Sequence, residues 1–245
     1  IITCVLIYLI IIIIYRKQNK KIKFQKEFFY RGLFEVLTAF FFFIALILMP
    51  IANVYTLLMT TPLIVTATAA IFLREKVGVR RWTAVVIGFI GVIIVINPKN
   101  LEFGYLFILP IISAIFLTLR DIVTKNVANK NNSLEIILIT SFCIVIFSGV
   151  ASIFYPGEII YEYFFYIIIS SIFLFFGYLF SVLTVFYAPL SLTASIRYSV
   201  IIFGMILGYL FLNEIPSINM FVGALLISLS GLFVIKRQKE LGKIR

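Results

Sequence analysis

Long apolar runs separated by short polar stretches dominate this chain, and their length needs explaining before any single residue does. A helix rises 1.5 Å per residue, so crossing a bilayer core of about 30 Å takes roughly 20 apolar residues. Runs near that length fall at residues 32–49, 51–73, 82–96, 105–123, 134–154, 163–187, 189–212 and 218–235, which predicts eight spans. Residues 1–14 are apolar throughout but would reach only about 21 Å as a helix. They lack the basic start and small-residue cleavage site of a signal peptide, so they are read as the tail of a ninth span. The expected fold class is therefore an all-α transmembrane protein.

Lysine and arginine alternate with these spans in a way that sets orientation, because short loops kept in the cytoplasm are enriched in both. Arg16 to Arg31, Arg74 to Arg81, Lys125 with Lys130, and Lys236 to Arg245 fall in one set of alternate loops, whereas the opposite set holds only Lys99. A multi-pass protein of the cytoplasmic (inner) membrane with a cytoplasmic C-terminus is expected. The net charge of +11 is then a topology signal, and no nucleic-acid partner is needed.

Composition agrees: 63% hydrophobic and 13% charged residues leave too little polar surface to cover a soluble globule. The chain has no histidine, and Cys4 and Cys143 lie in apolar runs without CxxC spacing. No metal site, disulfide framework or cofactor is expected. With no GxSxG, HExxH or paired aspartates, the chain is not expected to be an enzyme.

An internal repeat organises the runs. Phe41, Pro50, Phe72, Leu73 and Glu75 match Phe180, Pro189, Phe211, Leu212 and Glu214 at one separation of 139 residues, and Ala84 then meets Gly223 in register. Gly91 meets Gly231 after a slip of one. An odd number of spans separates the two units, so they face opposite ways across the membrane. Inverted repeats of this kind place a substrate site near the midplane and alternate access by rocking one half against the other.

The stretch from Leu48 to Val54, Pro62, and the run from Phe72 to Ile96 resemble the first EamA domain of the drug/metabolite transporter superfamily; the run from Ala188 to Ile235 resembles the second. The resemblance implies two inverted five-helix repeats, with ten helices expected and about nine present, the first helix and part of the second being absent. It divides the chain into a first repeat at 1–97, a periplasmic linker at 98–104, a second repeat at 105–236 and a basic cytoplasmic tail at 237–245. Arg197-Tyr198-Ser199 with the later GYLFLNEIP is similar to a subgroup that includes S-adenosylmethionine and riboflavin importers. The function implied is secondary transport of a small metabolite carrying an anionic group, S-adenosylmethionine-like, riboflavin-like or amino-acid-like. A channel or a non-transporting membrane scaffold is the alternative, and a membrane-embedded enzyme a further one. The expected partners are the bilayer and the small-molecule substrate, with a homodimer left open.

Among single residues, Arg197 stands out. Eight residues into a helix starting at Pro189, it would lie about 12 Å deep, where a charge is costly unless it meets a partner or a wet cavity. Its repeat partner is Leu58, and a guanidinium can grip a carboxylate or phosphate bidentately, so Arg197 is the first candidate for anchoring substrate. Snorkelling to the interface is the alternative. Thr193 shares its helical face, and Asn53, Thr56 and Thr60 form a stripe on the helix carrying Pro62. These four either line the cavity or bond their own helix carbonyls. Arg120 is a second anion contact or an interfacial anchor. Glu35, four residues after Arg31, fits an i,i+4 ion pair, and with Asp121 it is a candidate for an embedded titratable carboxylate. Glu75 and Glu214 sit where they can complement the next helix N-terminus, a structural role. Gly88, Gly91, Gly204, Gly208, Gly223 and Gly231 are read as helix-packing positions, and the many phenylalanines as lipid-facing bulk.

Overall fold

The computed structural model of the protein describes residues 2–18, 25–71, 78–96, 104–127, 133–154, 161–188, 190, 193, 197, 199–213, 215 and 217–240. Among them every regular element is helical: α1 (Ile2–Gln18), α2 (Lys26–Leu48), α3 (Ile51–Leu58), α4 (Thr61–Ile71), α5 (Val79–Ile96), α6 (Ile108–Val127), α7 (Ser133–Phe154), α8 (Phe164–Tyr187), α9 (Ser199–Leu212) and α10 (Ile218–Glu240). Short 3-10 turns at Gly104–Phe107 and Tyr161–Tyr163 lead into α6 and α8. Among the described residues, four helical stretches are long and apolar enough to cross a membrane: Lys26–Leu48, Gly104–Val127, Ser133–Phe154 and Phe164–Tyr187. Shorter apolar helices run over Ile2–Ile14, Trp82–Ile94 and Ile218–Ser230. Phe173, Phe180, Phe203 and Phe211 are exposed on their helices, a disposition that suits lipid. The chain is a multi-pass membrane protein.

Two expected spans are interrupted. Residues 51–73 form α3 and α4 with a turn at Met59 and Thr60 between them. Pro62 supplies the cause: it has no N–H to give the Leu58 carbonyl, and its ring crowds that same oxygen. The Thr61 hydroxyl donates to it instead, at 2.5 Å. The second interruption is at Arg197, which lies in a turn before α9, its carbonyl accepting the Val200 N–H at 3.0 Å. No proline accounts for that turn. Asn213, at φ 54°, ends α9 in the left-handed region that closes many helices. Glu75 and Glu214, both assigned a helix-end role from sequence, lie outside the described residues, as do Pro189 and residues 97–103 of the boundary between repeats.

Contacts divide the chain into two compact units, each drawing on both halves of the sequence. Unit 1 comprises Ile1–Val36 and Leu119–Tyr187. Its core joins Ile7 and Ile11 of α1, Phe28 of α2, Ile136, Ile137 and Ile139 of α7, and Phe175 and Val182 of α8. Thr3, Ile7 and Ile11 recur every fourth residue, and this is the buried stripe of α1. Gly32 brings α2 close to α7, since a Cβ there would stand 2.6 Å from the Cys143 sulfur.

Unit 2 comprises Leu37–Thr118 and Ala188–Arg245, with a core of Ala45, Met49, Val54, Leu57, Met59, Val92, Ala224 and Ile227. Its longest helix contact is between α5 and α10. A Cβ on Gly91 would meet Ile227 Cγ1 at 2.8 Å and the Gly223 carbonyl at 2.9 Å, so the absence of a side chain is what lets the backbones approach. Further along, the Ser230 hydroxyl donates to the Ala84 carbonyl at 2.7 Å. Seven residues back along α5 correspond to seven forward along α10, so the pair is antiparallel. Gly88 and Gly208 are buried, and the surroundings of Gly204 and Gly231 lie outside the described residues. Gly91→Leu should destabilise the protein by about 1–3 kcal/mol through overpacking. A lowered melting temperature of the purified protein in detergent would report it, and an unchanged one would mean that α5 and α10 stand further apart.

Candidate functional site

Leu58, beside the turn at Met59 and Thr60, and Arg197 stand at the 139-residue separation expected of the repeat. Both lie in unit 2, where α3 packs against α9. A membrane helix that breaks exposes backbone polarity and helix ends, and such breaks persist where they are covered by protein or line a cavity. Leu58 and Val200, beside the two turns, pack on the same core, so the turns are anchored by apolar neighbours.

Five of the expected polar residues lie on these interrupted segments. Thr60 is 6% exposed, and its hydroxyl has no hydrogen-bond partner among the described residues. The contrast with other threonines is sharp. Thr61, Thr68, Thr118, Thr140 and Thr193 each bond a carbonyl three or four residues back along the chain. For Thr193 that bond, to Leu190 at 2.9 Å, uses the hydroxyl proton and leaves oxygen lone pairs as acceptors. Arg197 and Asn53 are half-buried, as a group lining a partly open site would be. Thr56 is on α3, but its side chain lies outside the described residues. These segments carry a guanidinium, a carboxamide and, on Thr60, a hydroxyl with no hydrogen-bond partner among the described residues.

Arg120 is elsewhere, and its surroundings were not legible from sequence. It belongs to unit 1, as do Arg31, Glu35, Asp121, Thr124, Thr140 and Tyr178. Arg120 Nη1 donates to Glu35 Oε2 at 2.8 Å, while Nε and Nη2 donate to Asp121 Oδ1 at 3.0 and 2.7 Å. At 6% exposure the side chain is not the interfacial anchor that sequence suggested. The i,i+4 pair expected between Arg31 and Glu35 is absent too. Arg31, 1% exposed, donates from Nε to the Thr124 hydroxyl at 2.9 Å and from Nη1 to the Thr140 hydroxyl. Those hydroxyls can accept because their protons go to the carbonyls of Arg120 and Ile136. The Tyr178 side chain also faces Glu35. Two guanidinium and two carboxylate groups thus form a buried cluster of zero net charge.

Unit 1 also contains an apolar cavity of about 420 Å³ between α1, α2 and α7, lined by Val5, Tyr8, Phe29, Leu138 and Phe142 among others. Its lining carries no charged side chain.

Comparison with known proteins follows the same lines. A riboflavin transporter of Vibrio cholerae is 36% identical over 83 residues, covering 34% of this chain and 28% of that protein. An S-adenosylmethionine uptake transporter of Rickettsia conorii is 25% identical over 196 residues, covering 78% of this chain and 65% of that protein. The chain therefore spans between about a quarter and two thirds of the length of these curated relatives. A protein of known crystal structure shares the fold with a TM-score of 0.74 at 13% identity, over 98% of this chain and 87% of that one. Residues 1–97 match the profile of the EamA-like transporter family.

Proposed function

We propose that the chain is the transporting body of a secondary carrier that moves a small, anion-bearing metabolite across the cytoplasmic membrane by alternating access between two inverted five-helix repeats. The observation that carries this reading is the interruption of one helix in each half at nearby repeat positions, with Thr60 and Arg197 at the breaks. Half-helix ends and unwound backbone near the midplane are how repeat-built carriers hold solutes. Inversion has its own support. If α5 and α10 are equivalent under the 139-residue relation, Gly91 corresponds to Ser230 and Gly223 to Ala84, so the Gly91–Gly223 and Ala84–Ser230 contacts are images of one another. That exchange is the mark of a local two-fold interface, in which residue i meets j and j meets i.

In this reading Arg197 grips the anionic group, and Thr60, Thr193 and Asn53 hydrogen-bond the rest of the solute. The basic loops and the C-terminus lie on the cytoplasmic side. The names of the relatives make S-adenosylmethionine, which carries a carboxylate, the first solute to test, and riboflavin, which carries no ionised acid, the second. Proteoliposomes containing the protein should take up at least one of them in competition with its unlabelled form. Thr60→Val, which keeps shape and removes the hydroxyl, should weaken uptake by about fivefold or more, equivalent to one hydrogen bond of roughly 1 kcal/mol. Uptake by Thr60→Val equal to that of the parent would remove the α3–α4 break from the site.

A further inference from the structure

The buried cluster of unit 1 contains more than one way of pairing its charges. Glu35 is held by Arg120 of α6, a contact between helices. Arg120 also has Asp121, its neighbour on the same helix. Arg31 sits one helical turn before Glu35 on α2, at the i,i+4 spacing that allows an ion pair, yet it is held by the hydroxyls of Thr124 and Thr140. Each helix therefore carries its own counter-charge: Arg31 with Glu35 on α2, Arg120 with Asp121 on α6.

We infer that the Glu35–Arg120 pair is an exchangeable lock between α2 and α6, opened when Glu35 transfers from Arg120 to Arg31. Stranding one member of a buried pair is prohibitive on the scale of protein motions. Transfer avoids that cost, because both helices leave the contact neutral. Arg31 exchanges the two hydroxyls for a carboxylate, and Arg120 keeps Asp121. No proton is taken up or lost, so the groups facing Glu35, which are Arg31 on α2, Arg120 and Asp121 on α6 and Tyr178 on α8, keep their charge states throughout. The position is apt: unit 1 stops at Val36 and resumes at Leu119, so the lock lies beside both places where these helices leave it.

The test measures one distance in the intact chain, reconstituted in lipid nanodiscs with Cys4 and Cys143 replaced by serine. Spin labels go on cysteines at Lys26 and Asn126, exposed positions on α2 and α6 within unit 1. Two populations are expected, with the longer one unchanged in proportion across mildly acid to neutral pH. Arg31→Met removes the alternative partner and should abolish the longer population, and Glu35→Gln should deplete the shorter one. Thr124→Val with Thr140→Val frees Arg31 for Glu35 while keeping side-chain shape, and should enlarge the longer population. This second arm stands if Arg31→Met does not fold. A single distance common to all variants overturns the inference, as does a longer population that survives Arg31→Met or fails to grow in the double valine variant.

Discussion

Arg197→Met is expected to abolish uptake in proteoliposomes while leaving the protein inserted and monodisperse, and Arg197→Lys to weaken apparent affinity by about 1.5–3 kcal/mol, the range for hydrogen bonds to charged groups. The two variants separate charge from shape. Lysine keeps the cation but loses the planar fork that meets a carboxylate or phosphate with two parallel bonds; methionine keeps length and loses both. The motivating observation is the place of Arg197, half-buried in a turn that interrupts its helix, where the other half of the chain has Leu58. A side chain that only snorkels to the interface predicts the opposite result. Unaltered kinetics in Arg197→Met would show that the guanidinium never meets the solute.

Arg120→Met should be the most destabilising substitution in unit 1, by about 3–5 kcal/mol, because it leaves two buried carboxylates without their shared cation. Glu35 and Asp121 would both lose their short contacts. A large fall in melting temperature of the detergent-purified protein is the expected readout. A melting temperature matching the parent would mean that water reaches the cluster and screens it. Tyr178→Phe, which removes a hydroxyl facing Glu35 and no charge, should cost only about 1 kcal/mol.

What sequence reveals about this protein follows from the range over which each signal acts. Spans announce themselves through length and apolarity, which are local, and the positions of α2, α6, α7 and α8 agree with the runs that anticipate them. The turn at Met59 and Thr60 was also local, since Pro62 deprives the Leu58 carbonyl of its donor, but twenty-odd apolar residues read more simply as one span. The cluster is different. Arg31 and Glu35 look like a self-contained pair because they are one turn apart, whereas the partners they take, Thr140 and Arg120, are 109 and 85 residues away. No periodicity connects them. Thr60 was visible as one member of a polar stripe, but nothing in the stripe distinguishes a hydroxyl that bonds its own helix from one left unpaired.

The distribution of charge between α2 and α6 also bears on how the chain reaches the bilayer. A lone arginine at depth costs a few kcal/mol to insert, and a lone carboxylate a similar amount. Arg31 and Glu35 lie on one helix, Arg120 and Asp121 on another, and 85 residues of synthesis separate Glu35 from Arg120. Since each helix brings its own counter-ion, α2 can partition into lipid without its distant partner, and the contact to α6 can form later as a step of assembly within the membrane.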